Sequence, residues 1–229
     1  MIIYFLLLII CTHARLFGRF GEPAFETWNE TPRCVIVSAG PFELQNTNDQ
    51  CVVYECSSIK GSMCYKRDEK ARDGQAFVSF IVQHYTSLPF VTFFVHGHKN
   101  AWHQHPLIRF DSFQQFSGLN HHPIEVKNFS STPYGDIWRA IFPHMKTPEH
   151  VCCDGSLQFM VHRDRIQKQP LSTWIELEHY LYGTKVWPGS NAWNDKGVSL
   201  APGDFKGSSY FVEWIMHVLL GEPWCKFYR

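Results

Sequence analysis

The chain has 229 residues, enough for one domain with a sizeable core. Aromatic residues make up 16% of it and charged residues only 18%, a balance that excludes a disordered chain. Lys plus Arg and Asp plus Glu both number 21, so no basic excess points to nucleic acid as a partner, although the thirteen His make the chain cationic in acid.

Residues 2–10 form an unbroken apolar run, followed by Cys11, Thr12, His13 and Ala14. The run is too short to span a bilayer and matches the apolar core of a signal peptide, with small residues at 12 and 14 for cleavage after Ala14. The expectation is a signal peptide over 1–14 and a protein that is secreted or resident in the endoplasmic reticulum or Golgi lumen. The alternative is a buried N-terminal strand or an uncleaved anchor. No later stretch is apolar enough for a transmembrane helix. Residues 15–33 read as a leader, and 34–229 as a single domain with long loops at 120–150 and 183–207.

Without Cys11, seven cysteines remain: Cys34, Cys51, Cys56, Cys64, Cys152, Cys153 and Cys225. That number suits a disulfide-bonded secreted domain, and its oddness leaves one thiol over. Spacing does not fix the pairing, but a bridge between neighbouring Cys152 and Cys153 is strained, so separate partners are expected. With no CxxC pair, a zinc site made of these cysteines is the weaker reading. The sequons at Asn128 and Asn29 are glycan acceptors in this compartment, Asn29 the poorer because Pro32 follows its Thr31.

Runs 35–38 and 51–55 are short and β-rich, with turn formers between them. Asp73 is placed to cap a helix reaching about Tyr85, in which Phe77, Phe80, Ile81 and His84 mark a buried stripe. Leu88-Pro89 breaks it. Run 91–95 is β-branched and aromatic, the pattern of a strand covered on both faces. Helix followed by buried strand indicates an α/β fold. After the strand come His96, Gly97, His98, Trp102, His103 and His105, and ligands of open α/β sheets bind at such strand ends. Residues 107–116 read as a helix, 120–150 as irregular, 157–161 as a second buried strand, and 171–182 as a helix opened by Pro170. Residues 183–207 lack periodicity. Ser208 is placed to cap a last helix that Gly221 ends, with Phe211, Trp214, Ile215 and Val218 facing the core. No internal repeat is present.

The run 75–105 resembles the core of an uncharacterised family, domain of unknown function 3431. The matching residues are His84, Tyr85, Leu88, Pro89, then His96, Gly97, His98, Trp102 and His103. Cys153, Gln158, Phe159, Arg163, Arg165, Ile166 and Pro170 continue the likeness, and Glu213, Trp214, His217 and Gly221 resemble its ending. Where the family usually carries Glu at the helix start, this chain carries Gln75. The family's order of elements is similar to that of glycosyltransferases of the GT-A type. The resemblance therefore implies a mixed sheet flanked by helices in a GT-A-like (Rossmann-like) architecture. It also implies a Gln-Phe strand and terminal helix that shape an acceptor site, with a sugar donor or glycan as partner.

His96, His98 and His103 on one loop suit a transition metal ion with an open position, or a catalytic role for His96 and His98 without metal. Against them stands a structural role, His96 bonding backbone and Trp102 packing. The Asp-x-Asp of metal-dependent transferases is absent. A metal-independent transferase would need a base, for which Glu213 is a candidate, and cations such as Arg163 or Arg165 for a diphosphate. Trp102, His103, Gln158 and Arg163 are the candidate substrate contacts. Two other classes stay open: a His-metal enzyme such as a hydrolase, and a non-catalytic binding module.

Overall fold

A computed structural model describes residues 31–40, 51–55, 73–97, 115–119, 123–154, 157–181 and 205–225. Three parallel strands are its centre. They are β1 (Cys34–Ser38), β2 (Cys51–Glu55) and β3 (Val91–Val95), with helix α1 (Asp73–His84) between β2 and β3 in the chain. β1 pairs in register with β2 on one side and β3 on the other, and the Cys34–Cys51 disulfide ties register partners. Beyond β3 the direction reverses. Strand β7 (Phe159–His162) runs antiparallel to β3, and β4 (Phe116–Gly118) antiparallel to β7, giving the order β2-β1-β3-β7-β4. Strands β5 (Pro123–Val126) and β6 (Val151–Asp154) form a separate antiparallel pair. The result is a mixed α/β architecture, a five-stranded mixed sheet flanked by helices.

The strand sequences explain their burial. β1 and β3 are buried at every position, as expected of strands covered on both faces. Alternation divides them: Val35, Val37 and Phe94 face the large helical core, while Cys34, Ile36, Phe93 and Val95 face the other side. The α1 stripe read from spacing is buried, with Phe77 and Phe80 edge-on or tilted against Phe94. Helix α4 (Leu171–Leu181) follows the short α3 (Arg163–Ile166), and α5 (Phe205–Leu219) closes the core. Two hydrogen bonds finish α5, Glu222 N–H to His217 O and Gly221 N–H to Val218 O, with Gly221 at φ 83°. This double closure around a left-handed glycine is the stop expected of Gly221.

Four expectations are corrected. Phe116 opens strand β4 rather than ending a helix, because its register lies against Val161; residues 107–114 of that expected helix lie outside the described residues. Region 120–150 is not all irregular. It holds β5, a 3-10 turn (Phe129–Ser131) and helix α2 (Pro133–Ile141). Pro133 begins that helix where its missing N–H costs nothing, and Tyr134, Ile137, Trp138 and Ile141 are its buried stripe. Ser208 lies inside α5, which starts at Phe205, and so does not cap it. The expected strand at 157 also begins later, since Leu157 takes φ 47°. No helix among the described residues is long and apolar enough to cross a membrane.

Candidate functional site

From β1 the chain goes to β2 on one side, then crosses to β3 on the other. The carboxyl ends of β1 and β3 are therefore a switch point, where open α/β sheets form a crevice. Ser38, Ala39 and Gly40 leave β1 there, His96 and Gly97 leave β3, and Asp73 opens α1. The two strand ends are locked together by Ala39 N–H to Val95 O at 2.9 Å. Ser38 Oγ donates to Gly40 O at 2.7 Å, holding the turn. A Cβ on Gly40 would stand 3.1 Å from His96 O, so the turns meet backbone to backbone. Gly97 leaves at φ 89°, a conformation that suits glycine.

His96 and Asp73 meet at these strand ends. His96 Nε2 lies 3.1 Å from Asp73 Oδ2, with the imidazole 10% and the carboxylate 34% exposed. The half-open carboxylate fixes the ring, as an orienting acid does for a catalytic or metal-binding imidazole. The buried Gln158 holds His96 from behind, its Oε1 accepting the His96 N–H at 3.0 Å. Gln158 therefore positions the loop. Gln75, one turn into α1, is buried with its Oε1 lacking a hydrogen-bond partner among the described residues. Helix α5 crosses close by: a Cβ on Gly74 would lie 3.2 Å from Val212 Cγ1 and 3.5 Å from Leu157 Cδ2. Glu213, the next residue on α5, is half-buried and engaged.

The remaining expected site residues scatter. His98, Trp102, His103 and His105 lie outside the described residues, as do Asn29, Cys56 and Cys64. Arg163 is at the other end of the sheet from His96. Because β7 runs antiparallel, Arg163 N–H meets Phe90 O at 3.1 Å, where β3 begins. A five-residue strand puts that point ~16 Å from the His96 end. There Arg163 stands over the Phe90 ring at 5.9 Å, in an open cleft of about 430 Å³ shared with Thr31, Pro32 and Arg33. Arg165 is spent on the end of α5, donating to Leu220 O and Gly221 O and pairing with Glu222 at 3.4 Å. Asn128 is exposed, at φ 53° ahead of the 3-10 turn. Cys152 pairs with Cys225, the separate partner expected of it; the side chain of Cys153 is outside the described set.

Sequence reasoning placed His96 here but read Asp73 only as a helix cap and passed over Ser38 and Gly40. The one available signal was an acidic residue opening the helix between two parallel strands. Other buried ionisable groups belong to the core. Burial pushes His217 on α5 down to about 4, against the smaller opposing pulls of the Trp224 carbonyl and Glu222. Burial likewise lowers His84, and raises the Glu178 carboxyl despite a hydrogen bond from Ser79.

The pattern of one protein family matches residues 43–132 and 125–220, which together run through most of the chain. Nothing among the curated proteins and nothing among the solved structures matches it. The chain belongs to the family described as "Protein of unknown function (DUF3431)".

Proposed function

We propose that this chain is a glycosyltransferase-like domain that holds a nucleotide-sugar donor across the switch point, with His96 as its base. The observation that carries the reading is the Asp73–His96 pair, 3.1 Å apart, at the carboxyl ends of β1 and β3. The Ser38–Gly40 turn, held backbone to backbone against His96, fixes the strand ends where a donor would lie. His96 takes the proton of an acceptor hydroxyl, and Asp73 stabilises the imidazolium. The acceptor oxygen bonds to the anomeric carbon as the bond to the diphosphate oxygen breaks, and the diphosphate leaves with the electron pair. Helix α5 comes close to the start of α1 through Val212 against Gly74, and would border the acceptor side. Two disulfides and the lack of a membrane-crossing helix among the described residues are compatible with a secreted or lumenal setting, where Asn128 would carry a glycan.

The same pair favours one other reading. A carboxylate behind an imidazole is also how proteins orient a metal-binding His, which would make His96, with His98 and His103, a transition-metal site. Calorimetry with a panel of nucleoside diphosphate sugars, alongside elemental analysis of the purified chain, separates the two. The proposal expects saturable donor binding without added metal. It also expects His96→Ala to lower transfer about 10²–10⁴-fold, and Asp73→Asn to lower transfer while donor binding persists. Absence of binding by every donor sinks it. One metal ion per chain, lost in His96→Ala, establishes the metal site in its place.

A further inference from the structure

We infer that Glu125, His150, Cys152 and Cys225 form a zinc-type metal site that opens when the Cys152–Cys225 disulfide is reduced. The ligand atoms of His150, Cys152 and Cys225 already lie within 4.8 Å of one another. Strand geometry puts them together. Glu125 and Cys152 are register partners across β5 and β6, so their side chains share a face. His150 precedes Cys152 by two residues and falls on the same face. Cys225 reaches this face from a β-bridge along the free edge of β6. His150 Nε2 lies 2.9 Å from Glu125 Oε1, so a carboxylate stands beside the ring as in carboxylate–histidine–zinc sites. Two thiolates and an imidazole are a borderline-soft set that selects zinc over magnesium or calcium, with water in the fourth position.

The site survives loss of the sulfur–sulfur bond because the backbone holds Cys225 in place independently. Cys152 N–H donates to Trp224 O at 2.9 Å. The Trp224 ring stands edge-on to buried Trp138 at 5.2 Å, and His217 Nε2 lies 3.4 Å from the Trp224 carbonyl. With the bridge intact the sulfurs are not thiolates and metal is excluded. A dithiol reductant gives two electrons and two protons to the bridge and becomes a disulfide, leaving Cys152 and Cys225 as thiols. The metal then displaces the two thiol protons and binds both thiolates and neutral His150.

The test uses cobalt(II) on the full chain, titrated anaerobically before and after treatment with a dithiol. The reduced chain is expected to take up one cobalt per chain with a thiolate-to-metal charge-transfer band, and the oxidised chain none. Cys225→Ser should abolish the band, and Glu125→Gln should weaken binding about 10–100-fold. Should the variants unfold, the wild-type chain still decides: zinc must shield Cys152 and Cys225 from alkylation, read by peptide mass spectrometry. Equal alkylation with and without zinc, or a band that persists when Cys152 and Cys225 are both Ser, overturns the site.

Discussion

His217 ties the stability of this fold to pH. It is 4% exposed on the core face of α5, with its Nδ1 buried and lacking a hydrogen-bond partner among the described residues, and its Nε2 3.4 Å from Trp224 O. Burial drops it from 6.5 to about 4. A His lowered by folding is neutral in the native state, while the unfolded chain takes up a proton near 6.5. Between those values the unfolded state binds more protons, so stability falls as the pH falls. The full gap is worth ~3 kcal/mol, and roughly 2 kcal/mol of it disappears between pH 7 and pH 5. Urea unfolding followed by Trp fluorescence, disulfides intact, measures this at the two pH values. His217→Gln should lose about 2 kcal/mol less than the wild type over that interval. His84, also lowered by burial, contributes equally to both proteins and cancels. An identical pH dependence in the two proteins would refute the assignment.

The two disulfides among the described residues should differ in value because they close loops of different length. Separations of 17 and 73 residues correspond to ~3 kcal/mol for Cys34–Cys51 and ~4 kcal/mol for Cys152–Cys225 in loop entropy. Paired Cys→Ser variants compared by guanidinium denaturation should show the larger loss for Cys152 and Cys225, and the reverse order would contradict the entropic account. Gly135 sits in α2, where Ala normally stabilises a helix. Here a Cβ would stand 2.6 Å from Ser130 O and 2.7 Å from Phe129 O, so Gly135→Ala should destabilise by about 1–3 kcal/mol. A melting temperature unchanged or raised would show that the 3-10 turn yields freely.

Periodicity carried the parallel half of the fold. The run 91–95 and the α1 stripe of Phe77, Phe80 and Ile81 are strong because burial on the sheet demands them. Helix α2 was hidden although Tyr134, Ile137, Trp138 and Ile141 have helical spacing, since the prolines around it read as breakers and Pro133 is in fact a starter. The three-residue β4 has no period to detect, and only its partner β7 makes it a strand. In the crevice, His96 was legible from Gly97 and the buried strand before it. Asp73 was not, because its role depends on a contact with a residue 23 positions away in the chain. No local pattern encodes such a pairing.

Gln158 and Arg163 show why nearness in sequence misleads at a strand. They bracket β7, and a strand carries its ends apart, so the two candidate substrate contacts lie at opposite ends of the strands. The Arg163 end is where the parallel strands begin, the end that α/β sheets leave without ligands. The crevice residues described at the other end, Ser38, Ala39, Gly40, Asp73, His96, Gly97 and Gln158, include no Lys or Arg. On the proposed reading, a donor's diphosphate there would meet the N–H groups at the start of α1, which a helix N-terminus leaves without helical partners. The Asp73 carboxylate opposes a diphosphate's charge, and the imidazolium that His96 becomes on taking the acceptor's proton offsets it. In the proposed reaction the pair orients the base and stabilises the imidazolium that forms. This is why Asp73→Asn is expected to separate transfer from binding, while His96→Ala, which strands the carboxylate beside the diphosphate, should harm both.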